Sequence, residues 1–215
     1  MSNEHDMSRM WTQEFWDARY AESDGIWSRN PNPRLVQHAS DLATGEALDV
    51  GCGEGTDAIW LAARGWNVTG LDLSQVALDR AAARAADLSP AVSGRLTWLR
   101  ADLLTGDPLP TDFDLVSVQF MHVPRELFDG LYRRLAATVR PGGSLLVVGH
   151  HPDDLASGAR HHDVPDILFP PEQVTAVLDP AEWDVKLADA LVRTMERDGE
   201  QVSVRDTVVH AARRA

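Results

Sequence analysis

From residue 45 to residue 150, short apolar runs alternate with stretches of helical spacing. The runs are Ala47–Val50, Trp66–Leu71, Leu96–Arg100, Phe113–Phe120 and Ser144–Gly149. Between them lie Thr56–Arg64, stopped by Gly65, then Gln75–Ala86 behind a Ser74 cap, and a helix opened by Pro124 that runs towards Val139. Few folds accept this order. Parallel strands need long right-handed crossovers, and helical crossovers cover both faces of the sheet. Nearly continuous apolar strands are what such double cover produces.

After Gly149 the pattern changes. A polar, histidine-bearing loop runs from His150 to about Ile167, and Pro170–Leu178 has helical spacing. Trp183–Val192 and Gln201–His210 alternate in hydrophobicity and are joined through Asp198-Gly199, a hairpin signal. The expectation is an α/β fold, doubly wound, whose sheet starts parallel and ends in an antiparallel edge. The 215 residues suit one domain, with an N-terminal helical lid segment (1–40), a core (45–150) and an acceptor-side loop with terminal hairpin (151–215).

The formal charge of −13 argues against nucleic acid and against an anionic membrane as partners. Arg133, Arg134, Arg213 and Arg214 read as helix and tail charges. No stretch reaches the roughly 20 apolar residues of a membrane span, and Met1–Met10 does not read as a secretory signal. A cytoplasmic protein is the expectation. The single cysteine, Cys52, excludes an internal disulfide and any cysteine-only zinc site.

In an open sheet of this kind, ligands sit beyond the carboxyl ends of the strands. Gly51, Gly53 and Gly55 follow the first strand there and let a ligand approach the backbone. Asp72 ends the second strand, where a carboxylate can accept both hydrogen bonds of a ribose diol. Asp102 ends the third, in reach of an adenine amino group. Any nucleoside cofactor could use this pair. A nicotinamide dinucleotide would call for G-x-G-x-x-G, whereas here the third position is Thr56. A pyrophosphate also avoids negative charge at a helix start, and this one carries Asp49, Glu54 and Asp57. That acidity suits a cofactor with a sulfonium and an ammonium. No Gly-Lys-Ser/Thr follows, which removes a nucleotide-triphosphate loop.

The segment Leu48-Asp49-Val50-Gly51-Cys52-Gly53-Glu54-Gly55-Thr56 resembles the glycine-rich first motif of class I methyltransferases. Val68-Thr69-Gly70-Leu71-Asp72-Leu73-Ser74 is similar to their acidic second motif, and Ala101-Asp102-Leu103 to the adenine-contacting one. Phe113-Asp114-Leu115-Val116-Ser117 and Arg140-Pro141-Gly142-Gly143-Ser144-Leu145 resemble the fourth strand and the turn into the fifth. The resemblance implies a seven-stranded sheet with its last strand antiparallel beside the fifth. It also implies S-adenosylmethionine as cofactor, held by Asp49, Gly51, Cys52, Gly53, Gly55, Asp72, Leu73, Asp102, Leu103 and Gln119. The rival readings are a non-catalytic binder of the same cofactor and, further off, a nicotinamide-dependent oxidoreductase.

The acceptor side is less constrained by the fold. Trp11, Phe15 and Tyr20 fall on one helical face, expected to pack on the sheet. Trp27 lies in a turn-rich stretch and is the candidate lid over the cofactor. Trp16-Asp17-Ala18-Arg19-Tyr20 with Ile26-Trp27, and Phe169-Pro170-Pro171-Glu172 with Trp183, are similar to the small methyltransferases acting on tellurite, thiopurines, thiols and halides. This second resemblance implies a small-molecule acceptor. His122, just past the fourth strand, is the candidate general base, since an imidazole titrates near neutrality. His150 with His151, and His161, His162 and Asp163, read as a solvated loop rather than a metal site. Neighbouring strand residues point to opposite faces, so at most one of each histidine pair lines the pocket.

Overall fold

The computed structural model describes residues 8–22, 25–156, 167–197 and 199–215. A 3₁₀ turn (Ser8–Trp11) precedes helices α1 (Gln13–Ala21) and α2 (Pro33–Ala39). The core follows as β1 (Glu46–Val50), α3 (Thr56–Ala63), β2 (Asn67–Asp72), α4 (Gln75–Ala86), α5 (Pro90–Ser93), β3 (Leu96–Arg100), β4 (Phe113–Gln119), α6 (Arg125–Ala137) and β5 (Val139–His150). The last elements are α7 (Asp153–Ala156), α8 (Pro171–Thr175), β6 (Trp183–Arg197) and β7 (Glu200–Arg213).

The seven strands form one sheet in the order β3-β2-β1-β4-β5-β7-β6. The first five are parallel; β7 runs antiparallel to β5, and β6 antiparallel to β7. The order reverses between β2-β1 and β4, which opens a crevice at the carboxyl ends. Strand residues two apart share a face, and the core splits accordingly. Leu48, Val50, Val116, Leu145 and Val147 pack with Phe128, Tyr132 and Phe169 on one side. Ala47, Leu115, Leu146 and Val148 pack with Leu35, Leu61 and Trp66 on the other. A fully buried leucine or phenylalanine here contributes roughly 1.5–3 kcal/mol.

Three details differ from the sequence-based expectation. Trp11 ends the 3₁₀ turn, and α1 begins only after the Thr12 cap, whose hydroxyl accepts from Phe15 N at 3.3 Å. Trp11 therefore does not continue the face of Phe15 and Tyr20. The helix leans on the start of α4 rather than on the sheet, because Asp17 Oδ1 accepts from Ser74 Oγ at 2.6 Å and Val76 N at 3.2 Å. Second, Pro141-Gly142-Gly143 sits inside the span of β5. Phe113 pairs with Val139 and Leu115 with Ser144, so residues 140–143 bulge opposite Asp114, which ion-pairs with Arg140. Third, the terminal hairpin is longer than its alternating core. Its β7 meets β5 only from Asp206, opposite His150, to Ala212, opposite Ser144. Residues 200–205 pair with β6 alone, so the hairpin tip projects past the carboxyl ends of the parallel strands. Gly199 turns it at φ 81°, whereas Asp198 lies outside the described residues. No helix among the described residues is long and apolar enough to cross a membrane.

Candidate active site

The glycine-rich loop is built by positive φ angles and by the end of β2. Gly51, Gly53 and Gly55 have φ of 69°, 52° and 76°, a region other residues enter at a cost. Gly51 N and Cys52 N donate to Leu71 O at 2.8 and 2.9 Å, folding the loop back over β2. A Cβ on Gly53 would lie 2.8 Å from the Tyr20 hydroxyl, and one on Gly55 would lie 2.6 Å from the Trp98 ring.

Asp72 holds this loop. Its Oδ2 accepts from Gly53 N at 2.8 Å, and its Oδ1 from Ser74 N at 2.9 Å. A carboxylate offers about four lone-pair sites, so acceptor capacity for a ribose diol remains. Burial raises its pKa, opposed by these amide bonds. Leu73 follows as a half-buried residue. Asp102 Oδ1 caps its own turn by accepting from Leu104 N at 2.9 Å and Thr105 N at 3.3 Å. Leu103 packs against the core, and its carbonyl accepts from Arg134 at 2.8 Å.

Two buried acceptors at the ends of β1 and β4 lack donors among the described residues: Asp49 Oδ2 and Gln119 Oε1. Asp49 pairs in register with Ser117, and Gln119 lies two residues further along β4, on the same face. Gln119 donates from Nε2 to Ser117 Oγ at 2.9 Å, leaving its carbonyl oxygen unused. Burial, then the Asp57 charge, pushes the Asp49 carboxyl well above the usual carboxylate range. Burial also lifts Asp57 to about 6. The acidity expected of Glu54 is spent elsewhere: Arg80 pairs with it at 3.1 Å. Burial and the carboxylates of Asp49 and Asp72 raise the pKa of Cys52, which remains a thiol.

Trp27 is 53% exposed and stands over the loop. Its Nε1 donates to the Tyr20 hydroxyl at 2.9 Å, and its Cδ1 would lie 3.5 Å from a Cβ on Gly53. Tyr20 carried no functional expectation, yet it is buried against this loop. Asn32 lay outside the expectation too: its N donates to Asp57 Oδ1 at 2.8 Å. Met121, in the segment Gln119–His122 that the sequence points to, packs over Gly51, its Cβ 3.7 Å from where a glycine Cβ would stand. The Asn32-Pro33 start of α2 is a visible helix signal; the neighbours of Tyr20 have none in the sequence.

Past β4, Phe120 takes φ 53°, uncommon for an aromatic residue. Its ring lies 4.6 Å from the His150 ring, which stacks on His122 at 4.8 Å. Nε2 of His122 accepts from His150 N at 3.2 Å, so in the neutral imidazole the proton is on Nδ1. Of the first histidine pair, His150 turns to this cluster and His151 to Asp153, 3.6 Å away. His161, His162 and Asp163 lie outside the described residues. No group of three potential metal ligands occurs among the described residues.

A methyltransferase-domain family model matches residues 47–143. An uncharacterized methyltransferase of Mycobacterium tuberculosis is 34% identical over 140 residues, covering 64% of this chain and 68% of that protein. Thiopurine S-methyltransferase of Vibrio cholerae is 28% identical over 150 residues, covering 63% and 68%. Among solved structures, one described for the conversion of a disulfide bond into a thioacetal group during echinomycin biosynthesis superposes with a TM-score of 0.70 at 24% identity, covering 94% of this chain and 92% of that one.

Proposed function

The chain belongs to the class I S-adenosylmethionine-dependent methyltransferases, and from that premise we propose that it methylates a small molecule. The candidate acceptors are thiols, heterocycles, phenols and metalloid oxyanions. S-adenosylmethionine supplies an electrophilic methyl group on a sulfonium.

The observation that carries the site assignment is the pair of buried acceptors, Asp49 Oδ2 and Gln119 Oε1. Left without donors they cost free energy, and an ammonium is a group with donors for both. Asp72 takes the ribose hydroxyls with its remaining lone pairs. The Asp102 oxygen not used by its turn takes the adenine amino group, with Leu73 and Leu103 as apolar flanks. Gly51, Cys52, Gly53 and Gly55 present backbone, and Trp27 covers the loop and excludes water. Chemistry of this type depends mainly on holding the acceptor in line and dry.

His122 is the candidate base. Its lone pair is engaged by His150 N–H, so base action requires the acceptor to draw Nε2 away; an acceptor that arrives as an anion needs no base. Three facts support a small acceptor. The charge of −13 repels phosphate backbones, the half-buried Phe120, Met121 and His122 themselves wall the site, and one relative is named for a thiopurine. Incubation with methyl-labelled cofactor and a panel of thiols, phenols, heterocycles and metalloid oxyanions tests this. Label is expected in a small product, with one demethylated cofactor formed per methyl moved. Label confined to protein or nucleic acid added to the same mixture would overturn it.

A further inference from the structure

The segment from Trp27 to Arg34 crosses the carboxyl end of the sheet and is fastened at both ends. At the cofactor loop, Trp27 stands over Gly53, Thr56 Oγ1 donates to Ser28 O at 3.4 Å, and Asn32 N donates to Asp57 Oδ1 at 2.8 Å. At the terminal hairpin the polar attachment of this segment is the Arg34 side chain. Arg34 Nη2 donates to Leu191 O at 3.2 Å and Val192 O at 3.1 Å, and Arg34 Nε faces Asp206 Oδ2 at 3.5 Å. Asp206 is buried, with 1% of its side chain exposed, and also accepts from Arg193 Nε at 2.8 and 3.1 Å. Opposite Asp206 in the sheet stands His150, which stacks on His122. The two ends of the segment are therefore tied to the two halves of the site. The Asn32 side chain joins them, since its Oδ1 accepts from Arg34 N at 2.9 Å.

Building on the function proposed above, we propose that Arg34 is a positioning residue: it carries the state of the cofactor loop to the hairpin that borders His150 and His122. The physical link is the Asn32–Asp57 bond. An ammonium received by Asp49 lies near Asp57, whose charge acts on Asp49, and so favours the ionised form of the Asp57 carboxylate; an N–H bond to an ionised acceptor is shorter and stronger than one to a neutral acid. That bond tightens the strap, and Arg34 transmits the constraint to the hairpin through Asp206 and two backbone carbonyls. A planar guanidinium donates to both carbonyls from Nη2 while its Nε edge keeps the charge against Asp206; a lysine ammonium is a point charge without that spread.

Hydrogen exchange of the full chain, with and without S-adenosylhomocysteine, reads this directly. In the parent protein the ligand is expected to slow exchange both in residues 27–32 and in residues 192–205. The second effect should be roughly tenfold, the scale of one charge-assisted bond acting on a local opening. In Arg34→Ala, calorimetry should still detect the ligand, and residues 27–32 should keep their ligand-dependent protection. Residues 192–205 should lose theirs, and Arg34→Lys should restore it in part. Asp206→Asn, which keeps the side-chain shape, should diminish the same ligand-dependent difference. The reading is a difference between bound and free protein, which a merely structural contact would leave unchanged. Protection of the hairpin that persists in Arg34→Ala, or is absent in the parent protein while the ligand binds, overturns the proposal alone. Failure of the parent protein to bind the ligand overturns the function reading as well.

Discussion

Each carboxylate in the crevice has a distinct task, and the tasks separate in measurement. Asp72 serves two backbone amides before any ligand arrives. Asp72→Ala should therefore weaken cofactor binding more than Asp102→Ala, by about 1.5–3 kcal/mol. It should also lower the melting temperature of the ligand-free protein, which Asp102→Ala should do to a lesser extent. Calorimetry and thermal melts of the two variants check both statements. Asp57 behaves differently, because burial raises it from 3.8 to about 6. The folded state holds this proton more tightly than the unfolded one, so the group costs stability as pH rises through that window. The ammonium proposed for Asp49 would act on the neighbouring Asp57 and favour its ionised form. Affinity for S-adenosylhomocysteine should rise with pH across the same window, and Asp57→Asn should flatten the rise. His122 is tested by a matched pair of acceptors, a low-pKa thiol and a high-pKa phenol. If it is the base, His122→Ala should lower kcat on the phenol by roughly 10²–10⁴-fold and on the thiol much less. An equal fall on both would leave it a wall of the pocket. The placement of the candidate residues was legible where they fall at a strand end, as Asp49, Asp72 and Gln119 do, whereas Asp102 lies two residues past β3, in the turn it caps. Tyr20 was not legible, because its role depends on where a helix far from the loop in sequence comes to rest.

Among the elements, α2 links the N-terminal segment to the sheet at two points. Arg34 meets Asp206, and one turn later His38 faces His210 with ring centroids 6.0 Å apart. His38 Nε2 is buried without a hydrogen-bond partner among the described residues. Burial lowers both histidines below 6.5, helped by Arg34 for His38 and by His38 and Lys186 for His210. The unfolded chain then binds protons more readily, so stability is full above 6.5 and falls as pH drops below it. Thermal melts from neutral to mildly acid pH should show this loss, and His210→Gln should reduce it. The start of α3 is equally specific. Gly55→Ala should destabilise the protein by more than about 1 kcal/mol, since φ 76° and the Trp98 ring both oppose a Cβ. A urea melt reads it. Elements with strong period, such as α4 and β3, were legible to the residue. The long arms of β6 and β7 were not, because past Asp206 they leave the sheet and their pattern turns polar. Pro141-Gly142-Gly143 carries the signal of a turn, yet the strand continues on both sides of it through pairings that no local signal announces.

On the scale of the whole molecule, the sheet gathers its chemistry at one end. The crevice beside β1 and β4 holds the Asp49 and Gln119 acceptors, Trp27 and Tyr20 of the N-terminal segment stand against Gly53, and the hairpin borders His150. A ligand that binds only this folded arrangement adds stability by mass action. S-adenosylhomocysteine at a hundred times its Kd should add about 2.7 kcal/mol, and a nicotinamide dinucleotide should add none. Most of the proposed recognition rests on two buried oxygens without donors among the described residues, Asp49 Oδ2 and Gln119 Oε1, proposed to receive the ammonium of the cofactor. Calorimetry with S-adenosylhomocysteine and with 5′-methylthioadenosine, which keeps the nucleoside and lacks the amino-acid portion, tests it most directly. The parent protein is expected to bind the first more tightly by at least roughly tenfold, the scale of one hydrogen bond to a charged group. Asp49→Asn should close most of that gap while leaving methylthioadenosine affinity unchanged. A gap that survives in Asp49→Asn undiminished would contradict the assignment.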